Sequence, residues 1–298
     1  MNEHSDYYEE DYRPAIEPTG SARWLPDSSI EIVREPARRS APRHVLFDFD
    51  GTLSLIREGW PEVMVPLMVE VLQATGTTES AQSLHDLAMA FVMELNGKQT
   101  IYQMMRLAEE VTARGGQAED PVVYKNAYHD RLMRRIEHRR DALGRGETPP
   151  EEMLVPHALD FLEELERRGA TLYLASGTDE QFVVEETRLL KIDRFFGPRI
   201  YGARDDYKQF SKAMVIRRIL EEKRVEGHEL LGLGDGYVEI QNIKAAGGTA
   251  VAVASDESGQ SGKPDAWKRD RLIGAGADLV IPDFQDHRRL CEYLWSDE

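Results

Sequence analysis

From His44 onward, short apolar runs alternate with longer stretches of helical periodicity. Val45-Leu46-Phe47 is the first run, and it ends in Asp-Phe-Asp-Gly-Thr, the pattern of a buried strand feeding a loop. Similar runs at 171–175, 229–233, 249–253 and 278–281 predict four more strands. Between them, apolar residues recur at helical spacing over 156–168, 179–190, 211–223 and 237–246. Strands alternating with helices of this length predict an α/β, Rossmann-like doubly wound parallel sheet, covered on both faces.

Residues 60–150 break the alternation. Val63, Leu67 and Val71, then Leu84, Leu87 and Phe91, then Ile101, Met105 and Ala108, then Tyr128, Leu132 and Ile136 all keep helical spacing. No strand is predicted here, and 144–150 reads as a linker back into the alternating part. The organisation expected is therefore a helical cap, 60–150, inserted into a Rossmann-like catalytic core made of 43–59 and 151–298. Residues 1–42 hold acidic residues, Arg, Pro and Ser with little periodic apolar content. They read as a flexible N-terminal arm, with one short strand at 30–33.

The composition narrows the class. Of 298 residues, 41% are hydrophobic and 31% charged, as in a soluble globular protein. No apolar run approaches the roughly 20 residues that span a bilayer. The acidic, tyrosine-rich start lacks the basic and apolar regions of a secretory signal, so a cytoplasmic location is expected. Cys291 is the only cysteine, which excludes an intrachain disulfide and a thiolate zinc cluster. It lies in an apolar stretch with Leu290 and Leu294 and reads as a packing residue. The eight histidines show no metal-ligand spacing. A net charge of −17 argues against nucleic acid as a partner, because that work needs clustered cations over the phosphate track. It leaves room for a small phosphorylated ligand, since a divalent cation can hold one against carboxylates.

Four segments at strand ends carry candidate chemistry. Asp48 and Asp50, in Asp48-Phe49-Asp50-Gly51-Thr52-Leu53, can project into one crevice at the carboxyl end of a strand. An ordinary Asp/Gly turn competes with that reading. Ser176-Gly177-Thr178 offers a hydroxyl and free N–H groups at the start of a helix, where phosphate oxygens or simple capping could use them. Lys212 opens another helix and could offset phosphate charge, with Lys208 as a rival. In Gly234-Asp235-Gly236-Tyr237-Val238-Glu239, Asp235 can reach a metal, and Glu239, one helical turn on, can orient it. Each bland reading explains one segment. None explains all four in this order.

These segments resemble the four motifs of the haloacid dehalogenase superfamily, in its phosphatase branch. The continuation Ile240-Gln241-Asn242-Ile243-Lys244-Ala245-Ala246-Gly247 is similar to the phosphoglycolate phosphatase and β-phosphoglucomutase group. The resemblance covers roughly 43–285, and that group carries a helical cap between its first two motifs. It implies that Asp48 is the nucleophile and Asp50 the general acid and base. Thr52, Ser176, Gly177 and Lys212 would bind phosphate. Mg2+ would be held by Asp48, Asp50 through its backbone carbonyl, and Asp235, with Glu239 behind them. The aspartate at position 50 favours a phosphate ester, because a carbon–halogen bond has no leaving group to protonate.

The implied function is magnesium-dependent hydrolysis of a small-molecule phosphate monoester through an aspartyl-phosphate. A phosphomutase of the β-phosphoglucomutase type, and a non-catalytic binding protein, remain the alternatives. Within the cap, Asn96-Gly97-Lys98 resembles a loop that reaches the active site in related phosphatases. Arg131, Arg134, Arg135, His138 and Arg139 form a cationic face, expected to be a solvated charged surface rather than a substrate site.

Overall fold

The structure, a computed structural model, describes residues 11–14, 22–36, 41–204 and 207–295. Its strands are β1 (Arg23–Trp24), β2 (Glu31–Ile32), β3 (His44–Phe47), β4 (Thr171–Asp179), β5 (Ile200–Ala203), β6 (Leu230–Gly234), β7 (Thr249–Val253) and β8 (Leu279–Ile281). They form one sheet in the order β1-β2-β8-β7-β6-β3-β4-β5. From β8 to β5 every pairing is parallel. The fold is the α/β class that the alternating pattern predicts. Each core strand is apolar on both faces because both faces are covered. Val45 and Phe47 face one cluster with Leu172, Leu174, Leu231 and Leu233, while Leu46 faces the other with Tyr173, Ala250 and Val280.

Between β3 and β4 run four helices: α1 (Pro61–Gln73), α2 (Ala81–Glu94), α3 (Thr100–Ala113) and α4 (Pro121–Arg145). Their ends follow from local chemistry. Pro61 opens α1, the Ser80 hydroxyl accepts from the Ser83 N–H at α2, and Asp120 accepts from the Val122 N–H at α4. Gly146, at φ +69°, stops α4 in the left-handed conformation that glycine takes without strain. The α3 periodicity is shifted from the one expected: Met104, Leu107 and Val111 are buried, while Met105 and Ala108 are half-buried. The arginine face is an intramolecular ladder. Arg131 holds Glu70 at 2.7 Å, Arg135 holds Glu62, and Arg139 holds Glu58 at 2.9 Å and caps the Ile56 and Glu58 carbonyls.

Helix α5 (Ala158–Arg167) precedes β4, and after β4 come α6 (Glu180–Leu189), α7 (Asp193–Phe196), α8 (Lys212–Lys223), α9 (Tyr237–Ala245), α10 (Ala266–Gly274) and α11 (His287–Leu294). Strand β5 and helix α10 were not anticipated. Cys291 is fully buried against its neighbours in α11, and burial pushes its thiol up to about 12. No helix among the described residues is long and apolar enough to cross a membrane.

The flexible-arm reading of 1–42 needs correction over 22–36. There the chain adds two antiparallel strands to the sheet, β2 pairing with β8 and β1 with β2. Ile30 is 1% exposed, and Glu31, buried in the strand, is neutralised by both Nε and Nη2 of Arg269 at 2.6 Å. The short strand expected within 30–33 is there as β2, but its place in the sheet was not legible, because its partner β8 lies more than 230 residues away. Residues 1–10, 15–21 and 37–40 of that call lie outside the described residues. An Ile30→Ala substitution should therefore cost about 2–4 kcal/mol of stability, read as a lowered urea midpoint. A mobile arm would leave the midpoint unchanged.

Candidate active site

Register alone brings the key residues together. Phe47 sits opposite Leu174 of β4 and Leu233 of β6. Asp48 therefore emerges from the central strand, with Ser176 and Asp235 two residues past those partners on either side. The Asp48 N–H continues the ladder to the Leu233 carbonyl at 2.9 Å. The resulting cleft, about 100 Å³ in volume, is lined by Asp48, Asp50, Ser176, Gly177, Lys212 and Asp235, and by Lys98 of the insertion.

Lys212 is the first residue of α8, fixed there because the Ser211 hydroxyl accepts from the Met214 N–H. Its ammonium is 1% exposed and lies 2.9 Å from Asp48 Oδ2 and 2.7 Å from Glu239 Oε2. Lys208, its rival in the sequence, is exposed. Asp48 Oδ1 accepts from the Phe49 N–H at 2.8 Å, and the second Glu239 oxygen from the Gly236 N–H. One ammonium between two buried carboxylates does not offset the burial of both. Burial raises Asp48 to about 6, against the pull of Lys212, and Glu239 to about 8.

Asp50 turns away from this group. Its Oδ2 accepts from the Thr178 hydroxyl at 2.8 Å, with Ser176 Oγ at 3.5 Å. Its Oδ1 lies 3.7 Å from Arg57 Nε and has no hydrogen-bond partner among the described residues. Burial raises Asp50 to about 6, and Arg57 pulls it back. Arg57 itself is gripped by Glu186 through Nε at 3.0 Å and Nη2 at 2.8 Å.

Asp235 has partners that the sequence did not suggest. Lys268, from the unanticipated helix α10, donates to Asp235 Oδ2 at 2.9 Å and to Glu257 at 2.6 Å. Thr52, expected against phosphate, is instead fully buried, with its hydroxyl 3.4 Å from Asp235 Oδ1. Gly51, at φ +71°, is needed twice over: it allows the turn, and a Cβ there would meet Asp235 Oδ2 at 2.3 Å.

The oxygens of Asp48, Asp235 and Glu239 lie within 4.8 Å of one another. A group of hard carboxylate donors suits Mg2+, and the Asp50 carboxylate stands outside it. A lysine faces each of the three: Lys212 lies against Asp48 and Glu239, and Lys268 against Asp235.

A family model described as haloacid dehalogenase-like hydrolase matches residues 42–247, more than half of the chain. The chain belongs to that family. No curated protein matches it in sequence. Among solved structures, a predicted phosphoglycolate phosphatase from Haemophilus somnus 129PT is 16% identical with a TM-score of 0.55, over 84% of this chain and 97% of its own. A predicted phosphatase from Clostridium acetobutylicum is 18% identical with a TM-score of 0.55, over 85% of this chain and 100% of its own. A candidate β-phosphoglucomutase from Thermotoga maritima is 18% identical with a TM-score of 0.50, over 84% and 99%. At these identities the likeness is one of fold.

The raised Asp50 has a consequence for stability. Between its ordinary value of 3.8 and about 6, the folded haloacid dehalogenase-like protein holds a proton that the unfolded chain has released. Its contribution to stability therefore falls as pH rises through that window. With 27% of the side chain open to the cleft, solvent screens part of the effect. Asp50→Asn should stabilise the metal-free protein at about pH 8 by ~1 kcal/mol, and the gain should vanish below about pH 4. Thermal melts at the two pH values check this. A variant less stable at pH 8 would mean that the Arg57 contact outweighs burial.

Proposed function

We propose that this hydrolase cleaves a small phosphate monoester through an aspartyl-phosphate formed on Asp48. The observation that carries the reading is the division of labour between two carboxylates in one cleft. Asp48 is pinned by a backbone N–H and an ammonium. Asp50, two residues on, keeps one unpartnered oxygen with a raised pKa.

The steps then follow from these residues. An Asp48 oxygen attacks phosphorus, and the ester P–O bond breaks on the opposite side. The departing alkoxide takes the proton of Asp50, whose Oδ1 is the oxygen left free once Oδ2 is occupied by Thr178. Asp50, now ionised, accepts a proton from water as that water attacks the phosphorus of the acyl phosphate. The P–O bond to Asp48 breaks, and inorganic phosphate and the free carboxylate result. The Ser176 hydroxyl, the Gly177 N–H and the Lys212 ammonium would hold the non-bridging oxygens. Magnesium, held by Asp48, Asp235 and the Asp50 backbone carbonyl, would supply positive charge against the mutual repulsion of carboxylate and phosphate. The four-helix insertion acts as a cap over the cleft. The loop Asn96–Lys98 would form its inner edge, since a Cβ on Gly177 would come within 3.0 Å of the Lys98 carbonyl. In this reading Mg2+ is the only cofactor, the partner is a small phosphorylated metabolite, and the enzyme is cytoplasmic.

Asp48→Asn should abolish turnover while leaving the fold intact by circular dichroism, because the amide is close in shape but cannot attack phosphorus. The parent enzyme should release phosphate from an aryl phosphate through many turnovers, stop in EDTA, and recover in magnesium but poorly in calcium. Activity surviving in Asp48→Asn would overturn the mechanism. Release that stalls near one equivalent, and resumes only with a sugar phosphate, would establish a mutase instead.

A further inference from the structure

The charges around the cleft constrain what the phosphate can be attached to, if the chain is the phosphatase proposed above. Every cation that lines or borders the cleft among the described residues already faces a carboxylate. Arg57 is clamped by Glu186, Lys98 lies 2.7 Å from Asp11, Lys212 bridges Asp48 and Glu239, and Lys268 bridges Asp235 and Glu257. With Asp50 holding its proton, as the proposed first step requires, six carboxylates stand against these four cations. A divalent metal would only bring the two signs to balance before a phosphate dianion enters. A second anionic group on the substrate would find no free counter-charge among these residues, which is costly for a partly buried anion.

Two donors nevertheless remain open beyond Asp50. Arg57 spends Nε and Nη2 on Glu186, and its Nη1 has no hydrogen bond among the described residues although the side chain lines the cleft. Tyr128, 6% exposed, reaches the same cleft from α4, and its hydroxyl likewise has no partner there. The two are electrostatic neighbours: burial raises the Tyr128 hydroxyl, Arg57 lowers it and Asp50 raises it. One donor comes from the loop after β3 and the other from the insertion, so the leaving group is met from both sides.

The geometry points to Arg57 and Tyr128 as specificity-determining residues that read an uncharged oxygen, a hydroxyl or carbonyl, on an otherwise neutral alcohol leaving group. A site built to hydrogen-bond such an oxygen rejects an analogue lacking it, because its own donors are then left unpaired.

The test compares three esters of similar size on the full chain with magnesium: glycerol 3-phosphate, 3-phosphoglycerate and propyl phosphate. The kcat/KM for glycerol 3-phosphate should exceed both others by about tenfold or more. Tyr128→Phe should lower it about tenfold on glycerol 3-phosphate while leaving propyl phosphate nearly unchanged, a split that a merely structural tyrosine would not produce. A preference for 3-phosphoglycerate, or equal losses on both neutral esters in Tyr128→Phe, would overturn the assignment. An aryl phosphate run in parallel keeps the two levels apart. If it too is untouched, the phosphatase reading has failed. If it is turned over while carboxylated esters are preferred, only this inference has.

Discussion

One buried ammonium holds the site in its present shape. Asp48 and Glu239 are each nearly inaccessible, and both have oxygens within 3 Å of Lys212 Nζ. Without that charge, two buried carboxylates, one just past β3 and the other in the first turn of α9, would repel each other. With it, they remain raised in pKa yet ordered, one facing the cleft and the other locking the turn at Gly236. Lys212 is thus a structural counter-ion as well as the phosphate-binding group of the proposed function. In that reading, a phosphate taking part of the Lys212 charge would loosen its hold on Asp48, so the two proposed roles are linked through one atom.

The sheet supplies everything else by position. Because β3 is flanked by β4 and β6, three loops open side by side, and each brings polar atoms to a place where side chains of ordinary size do not fit. A Cβ on Gly234 would strike the Glu239 side chain at 2.3 Å, and one on Gly232 would strike Ile243 at 2.2 Å. These glycines let α9 sit hard against β6, which brings Glu239 back over the strand end. The spacing Gly-Asp-x-x-x-Glu is thus a packing requirement as well as a chemical one.

Much of this was legible before the fold was known. Strand β7 falls where its apolar run does, and helices α6, α8 and α9 begin and end within a residue of the expected limits. Those elements carry their signal locally, in period and caps. What escaped was set by distant partners. Strand β5, Ile-Tyr-Gly-Ala, is short and includes Gly202, which is there because a Cβ would meet the Glu180 Cα at 2.5 Å. Strand β2 was expected, but its pairing with β8 and the Arg269 partner of Glu31 were not. Lys268 has no spacing relative to Asp235 that a motif could encode, and neither has Arg57 relative to Glu186. A buried ion pair between remote residues leaves no periodic trace, so its members surface only when the chain is folded.

The insertion meets the core closely beside the cleft. Gly97, at φ +96°, lies so close to Gly236 that a Cβ on either would come within about 3 Å of the other's Cα. Around this backbone contact the ties are polar: Gln99 Nε2 to the Phe210 carbonyl at 2.8 Å, Arg271 to the Glu94 carbonyl, and Lys98 to Asp11. Asp11 and its neighbour Tyr12, whose ring meets Tyr237 edge-on at 5.4 Å, lay a stretch of the N-terminal segment across the same seam. Apolar packing joins the two parts as well: Met104 and Leu107 of the insertion belong to the same buried cluster as Val45 and Phe47 of β3. Ion pairs add to it, Lys125 with Asp179 and Arg140 with Glu185. The insertion is therefore tied to the sheet by apolar and polar contacts together, and the backbone approach of Gly97 to Gly236 fixes where it meets the loop that carries Asp235.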